Sequence, residues 1–376
     1  MIEFSPPAID EVDIEAVVRT LRSGWITSGD ECAALETDLA ALLGVPHAVA
    51  MASCTAAMET AVAYLDLPAG ARVGVPTWTF AASALAPARL GATPVLLDVE
   101  PDTLNLSPDA LARALEDGGL DALVVVHVAG NAVDPAVRKL AAEVDLPVVE
   151  DAAHALPTTD DRGLVAGQGT VAACFSFYAT KNVAGGEGGA LTTEDPELDR
   201  FARSYRLHGL TKETWRRFRD GDDVPHDIVM AGIKANLADP LAALARSQLG
   251  RLPELQAGRR AAVERYRSNL ADLDGVTCLP PEPDPGSADH LMVVRLPEGT
   301  DRGEVTRRLD AAGVRTAVHF PPLHHLTWFR EHAELGPGGT PIADAMAPRV
   351  LSLPLHPRLT ADEVDEVCTA LAAALA

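Results

Sequence analysis

Ala122-Leu-Val-Val-Val-His-Val128 and, one helix-like segment later, Leu146-Pro-Val-Val-Glu-Asp151 carry the strongest signal of fold class in the chain. Both are apolar at consecutive rather than alternate positions, the pattern of strands covered on both faces. The segment between them, Asp134–Glu143, reads as a helix, so strand, helix and strand follow in the order of a parallel layered unit. Toward the N-terminus the alternation continues. Apolar runs at His47–Ala52, Arg72–Pro76 and Thr93–Asp98 are separated by helical patterns at Ala56–Leu65, Phe80–Leu90 and Pro108–Glu116. Two helices precede them: Asp10–Ser23, with Val12, Val17, Val18 and Leu21 at helical spacing, and Glu31–Leu43, with Leu35, Leu39 and Leu42. Gly24 and Gly44 follow as stops. The expectation is an α/β domain with a large, mostly parallel sheet flanked by helices.

After Asn236 the pattern changes. Leu237–Leu249 and Pro253–Leu273 read as successive helices, and a Pro-rich loop over residues 279–287 ends the stretch. A strand (Leu291–Leu296), a helix (Asp301–Ala312), a strand (Val314–Phe320) and a terminal helix capped by Thr360 with Glu363 three residues on are expected beyond it. The predicted division is a large α/β domain over 1–240 and a smaller α+β domain over 241–376 that begins with long linking helices.

Charge and composition exclude several functions. With Asp+Glu 54 against Lys+Arg 31, the net charge of −23 repels phosphate backbones, and no basic run offsets it, so nucleic acid is not expected as a partner. No apolar stretch approaches the ~20 residues of a membrane span. The start, Met1-Ile-Glu-Phe-Ser5, lacks the basic and apolar parts of an export signal. Cys32, Cys54, Cys174, Cys278 and Cys368 are scattered without a Cys-x-x-Cys pair, so neither a disulfide framework nor a metal site is expected, and the cytoplasm is the expected compartment.

Chemistry concentrates in Phe175-Ser-Phe-Tyr-Ala-Thr-Lys-Asn-Val-Ala-Gly-Gly-Glu-Gly-Gly-Ala190. A strand-like run delivers Ser176 and then Lys181, and four glycines in the five positions from Gly185 to Gly189 let backbone approach a ligand closely. The plainer reading is a glycine-rich hairpin with a surface lysine. Yet the chain has only four lysines, Lys139, Lys181, Lys212 and Lys234, against 27 arginines. A lysine set among Phe, Tyr, Val and Gly does what arginine cannot, which is to lose its proton near neutrality and form an imine.

Asp151 stands at the C-terminal end of its strand, where α/β sheets present ligand groups. It caps the next turn on one reading. On the other it is the fixed negative charge that keeps a pyridine nitrogen protonated. His154 is either a ring-stacking residue or a core histidine. Ser53 and Thr55 in Ala52-Ser-Cys-Thr-Ala56 lie between a strand and a helix, as an anion site or a simple helix cap. Trp78 in Pro76-Thr-Trp-Thr-Phe-Ala81 is a second stacking face or a core residue. Together these are the parts that pyridoxal phosphate requires.

The same motifs in the same order resemble those of the DegT/StrS sugar aminotransferases. They are Gly24-Trp-Ile-Thr-Ser-Gly29, Ser53-Cys-Thr-Ala-Ala57, Pro76-Thr-Trp-Thr-Phe-Ala81, Glu150-Asp-Ala-Ala-His154, Ser176-Phe-Tyr-Ala-Thr-Lys-Asn182 and Gly313-Val-Arg-Thr-Ala-Val-His-Phe-Pro-Pro-Leu-His324. The resemblance implies a fold-type I pyridoxal-phosphate transferase. It assigns Lys181 to the covalent cofactor bond, Asp151 to the pyridine nitrogen, and His154 and Trp78 to the ring faces. Thr55, Ala56 and Ser176, beside Ser53 and Cys54, map to the phosphate cup. Asn236 maps to an asparagine lent by the partner subunit, which implies a homodimer with shared sites. Ile233 replaces the family's usual aromatic in that segment. Relatives that dehydrate sugars carry histidine at the position of Lys181, so the lysine places this chain among the transaminases.

The implied reaction takes an amino group from L-glutamate, releasing 2-oxoglutarate, by way of the pyridoxamine form, to a nucleotide-linked 4-keto-6-deoxyhexose. Gly24-Trp-Ile-Thr27 and Arg206-Leu-His-Gly-Leu210 resemble the branch that aminates C4, with a dTDP-linked sugar expected. Amination at C3, a UDP-linked sugar and a keto-inositol are the alternatives, and a non-catalytic sugar sensor or scaffold is a further one. Implied substrate contacts are Trp25, Thr27, Arg206, His208, Arg217, His319, Phe320 and His324, with Arg216 and Arg219 nearby in sequence. For the arginines, His208 and His324, an ordinary surface role is the other reading.

Overall fold

A computed structural model describes residues 1–211 and 227–376. The strands are β1 (His47–Met51), β2 (Arg72–Pro76), β3 (Thr93–Leu97), β4 (Ala122–Val126), β5 (Val148–Asp151), β6 (Ala172–Ser176) and β7 (Gly189–Thr193). Further on come β8 (Thr277–Leu279), β9 (Met292–Arg295), β10 (Glu334–Leu335) and β11 (Val350–Leu353). Eight of them form one sheet in the order β1-β7-β6-β5-β4-β2-β3-β10. β7 is antiparallel to both neighbours, while the pairs from β6 to β10 are parallel. The expected mostly parallel sheet is present. All five residues of β4 are apolar and buried, with Ala122 and Val124 in the core on one face and Leu123 and Val125 in the core on the other.

The first helices are α1 (Glu11–Ser23), α2 (Asp30–Leu43) and α3 (Cys54–Tyr64). α1 and α2 stop at Gly24 and Gly44, whose φ values of +79° and +69° are the left-handed caps anticipated from sequence. Later helices include α4 (Ala82–Arg89), α5 (Asp239–Gly250) and α6 (Leu252–Leu270). α6 places Leu252 in the core that also holds Phe175 and Phe177, and Ala262, Tyr266 and Leu270 in the core under the smaller sheet β8-β9-β11. One helix therefore links the two layers. Thr360 and Glu363 form the expected capping box at the start of the last helix, Ala361–Leu375.

One expectation is corrected. Val314–Phe320 is not a strand; it makes single bridges from Val314 to Ile2 and from Ala317 to Ser352. Its backbone divides its bonds between Ile2 on one side and Ser352, on the outer edge of β11, on the other, so no continuous ladder forms with either. β10 lies far along the chain yet adds an edge to the large sheet beside β3.

Candidate active site

β1, β2, β4, β5 and β6 all point their C-terminal ends to one edge of the large sheet, and a cavity of about 490 Å³ opens there. That size suits a small cofactor with part of a substrate. The cavity is lined by Ser53, Cys54, Thr55, Trp78, Asp151, His154, Ser176, Lys181, His319 and Phe320, all singled out from sequence. Ala56 is not in the lining; its N–H donates to Ser53 Oγ at 3.1 Å and so begins helix α3.

Asp151 ends β5, buried and held at both oxygens. Oδ2 accepts from Ser83 Oγ at 2.6 Å and Oδ1 accepts from the Ala153 N–H at 3.1 Å. Ser83 Oγ in turn lies 2.7 Å from Thr79 Oγ1. Sequence reading missed Ser83; its one signal is a serine on the otherwise apolar start of α4, four residues after Thr79. Glu150, the preceding residue, faces away into a buried ion pair with Arg162 at 2.9 Å. Burial alone would raise its carboxyl, but the hydrogen bonds and charges of His127 and Arg162 prevail and hold it at about 2.

Lys181 is partly buried and lines the cavity. Enclosure disfavours its ammonium form and, opposed by the nearby Asp151 carboxylate, brings the amine down to about 8. His154 is buried, and desolvation followed by the charge of Lys181 pushes it well below its usual value, so its ring is neutral. Its Nδ1 is buried without a hydrogen-bond partner, and the residue lines the cavity. The ring lies 6.2 Å from that of Phe320 at 25° and 4.2 Å from His290.

Trp78 is fully buried in the wall, and its indole N–H donates to the His319 carbonyl at 3.0 Å. Phe80, two residues on, lines the same cavity at 58% exposure and meets Phe320 at 5.4 Å. Phe80 was not singled out from sequence, where it looked like the first turn of a helix.

The glycines have a steric reason at one position. A Cβ on Gly189 would sit 2.4 Å from the Cys54 N, 2.5 Å from the Ser53 carbonyl carbon and 2.6 Å from the Phe175 O. Gly189 thus lets β7 press against the start of α3, setting Ser53 and Thr55 opposite Ser176. Gly189→Ala is expected to lower stability by about 1–3 kcal/mol and to weaken cofactor binding. Thermal melts with and without added cofactor check this; an unchanged melting temperature and affinity would remove the steric argument.

The remaining sequence candidates fall elsewhere. Arg206 is bound to Glu36 at 2.6 Å and to the Ala50 carbonyl, behind β1, so it is already engaged and stands outside the cavity. His208 is exposed, with φ +61°, on the segment that hydrogen-bonds Ile233. Trp25, Thr27 and Asn236 gather in a separate cluster. The Trp25 indole donates to the Ser28 carbonyl at 3.1 Å, Asn236 Nδ2 to Ser28 Oγ at 2.6 Å, and the Asp239 N–H to the Thr27 carbonyl at 3.2 Å. His324 lies just outside the cavity, its Nδ1 2.7 Å from Thr77 Oγ1. Arg216, Arg217 and Arg219 lie outside the described residues.

The residues present fit pyridoxal phosphate. An enclosed amine, a pinned strand-end carboxylate, hydroxyls at a helix start and an unsatisfied histidine beside aromatic rings share one cavity of suitable size. Fold and site together define a fold-type I pyridoxal-phosphate enzyme. The comparisons narrow this: the sequence profile of the DegT/DnrJ/EryC1/StrS aminotransferase family matches residues 7–372, and the chain belongs to that family. It is 36% identical to the spore coat polysaccharide biosynthesis protein SpsC of Bacillus subtilis, over 98% of this chain and 96% of that protein. Among solved structures it resembles Spr1654 from Streptococcus pneumoniae in its PMP form, with a TM-score of 0.90, 31% identity and coverage of 100% and 99% of the two chains. A PLP form of that protein is equally similar in sequence. The aminotransferase TlmJ from Streptoalloteichus hindustanus matches with a TM-score of 0.90, 32% identity and the same coverage. The chain is therefore a sugar aminotransferase that uses pyridoxal phosphate. Among the described residues, no helix is long and apolar enough to cross a membrane.

Proposed function

We propose that this enzyme transfers the amino group of L-glutamate to C4 of a dTDP-linked 4-keto-6-deoxyglucose. The observation that carries the catalytic part is the enclosed Lys181 amine sharing one cavity with the pinned Asp151 carboxylate. Bound pyridoxal phosphate supplies the electron sink that stabilises negative charge at the donor's α-carbon. Lys181 Nζ takes the α-proton as general base and returns it as general acid. Asp151, fixed by Ser83 and the Ala153 N–H, holds a proton on the ring nitrogen. Ser53, Thr55, Ser176 and the start of α3 bind the phosphate. His154 and Trp78 cover the ring faces, with the Trp78 indole held by its bond to the His319 carbonyl and Phe80 beside them in the lining. His319 and Phe320 close the roof and exclude water.

The substrate reading rests on the family, on the name of SpsC, which concerns a polysaccharide, and on the resemblance of residues 24–27 and 206–210 to the C4 branch. Purified enzyme with L-glutamate and a panel of nucleotide 4-keto and 3-keto sugars, with the new amine located by NMR, tests it. Amination at C3 alone, or of a UDP-linked sugar or keto-inositol alone, would replace it.

The enzyme is proposed to be a homodimer in which Asn236, standing outside its own chain's cavity, completes the partner's phosphate site. Exposed Val12, Leu21, Trp25, Ile26, Ile228 and Val229 leave apolar surface of the kind a second copy covers. Mixed dimers of Lys181→Ala and Asn236→Ala chains should regain activity that neither homodimer has, since one of the two sites is then intact. Failure to regain any after subunit exchange would remove the shared site. The five cysteines are all free, in keeping with the cytoplasm as its proposed location.

A further inference from the structure

We propose that His324, His325 and Asp344 form a binding site for one divalent transition-metal ion of the zinc class, beside the loop that roofs the active-site cavity. His324 Nε2 and His325 Nε2 lie 2.9 Å and 2.7 Å from the same atom, Asp344 Oδ1. The three donor atoms fall within 4.8 Å of one another, and no other such group of histidine, cysteine and carboxylate donors is found among the described residues. Adjacent histidines ordinarily diverge. Here the 3-10 turn Leu323–His325 turns both rings toward one point, with centroids 4.3 Å apart.

The surroundings hold the donors in place. His324 Nδ1 sits 2.7 Å from Thr77 Oγ1, so with Nε2 on an ion the Nδ1 proton is donated to that hydroxyl, the outer contact that sets tautomer and ring orientation in metal-bound histidines. The Leu323 N–H donates to the Thr77 carbonyl at 2.7 Å and ties the histidine turn to the end of β2. Asp344 rides on the helix Pro341–Met346, whose first N–H groups, at Ile342 and Ala343, each donate at 2.9 Å to the Asp98 carboxylate beyond β3. Both halves of the site are thereby anchored to the large sheet.

The donor set selects the ion. Two imidazoles and one carboxylate, with an open side at exposed His325 and Asp344, leave a fourth position for water, a tetrahedral arrangement that zinc accepts. Nickel and copper suit the same ligands, whereas calcium and magnesium require oxygen. A bound ion would cross-link the segment that follows His319 and Phe320 to the helix of Asp344 and so restrain the roof of the cavity.

The test uses the untagged, cofactor-loaded full chain, stripped with a chelator and titrated with zinc chloride at neutral pH by calorimetry, together with X-ray absorption at the zinc edge. One ion per chain, nitrogen and oxygen ligands only, and a melting temperature that rises with zinc are expected. Asp344→Ala and His325→Gln, both at exposed side chains, should each weaken binding at least about tenfold. No binding up to millimolar zinc, a sulfur ligand in the absorption spectrum, or wild-type affinity in both variants overturns the proposal. In each of those cases the convergence is simply a carboxylate accepting two imidazole hydrogen bonds.

Discussion

Lys181→Ala protein should release 2-oxoglutarate from L-glutamate at least about 10³–10⁴-fold more slowly than the wild type, because it loses both the covalent anchor and the proton shuttle. The loss should appear in kcat in a single half-reaction without sugar, which separates it from any effect on sugar binding. Borohydride should fix the cofactor to Lys181 in the wild type and to no residue in the variant. A second measurement addresses the environment alone. In cofactor-free protein, an amine-reactive reagent should label Lys181 at a rate that climbs with pH and levels off above about 8, since the enclosed amine is half deprotonated there. Below that point the ammonium form dominates and labelling should fall about tenfold per pH unit, while an ordinary lysine would go on gaining reactivity to about 10.4. A half-reaction at wild-type rate in Lys181→Ala would end the catalytic assignment. A labelling midpoint near 10 would end the argument from enclosure.

Asp151→Asn is expected to lower kcat by about 10²–10³-fold while the protein stays folded. Asparagine is nearly the same shape and still accepts from Ser83 Oγ at its carbonyl oxygen, so the change removes charge more than structure. The amide cannot supply the negative charge that holds a proton on the ring nitrogen, so the effect belongs in kcat, with a smaller one in cofactor affinity. Steady-state kinetics at saturating cofactor read the first and an absorbance titration the second. A variant with unchanged kcat would show that the carboxylate serves only as the cap of the turn at Ala153.

These two residues also show how far a linear reading reaches. Lys181 stood out because the chain uses arginine almost everywhere else and sets this lysine beside a run of glycines. Asp151 stood out because a charged residue ends an apolar strand. Both signals are local, a few residues wide, and survive without knowledge of the fold. Ser83 carries no such signal, because a serine in a helical first turn is ordinary until Asp151 is brought to it from 68 residues away. Phe80 and Trp78 are two residues apart in one apolar motif, and that both rings line the cavity depends on the path of the loop after β2. The charge of Arg206 suits a substrate contact, and only folding shows that it pairs with Glu36, a carboxylate that Arg203 binds as well.

Val314–Phe320 shows the same limit. Its residues favour a strand, but its backbone bonds are divided between Ile2 and Ser352, one bridge each, which only the packing of distant segments decides. The layered α/β class, the helix stops and caps, and the residues with reactive groups are legible in the chain alone, since these follow from periodicity, backbone stereochemistry and side-chain chemistry within short windows. Folding settles which of those groups share a cavity, that Asn236 stands apart from it, and that His324 and His325 meet a carboxylate nineteen or twenty positions along the chain. Such convergence depends on distances between elements far apart in the chain, which packing of the core sets and no local pattern records.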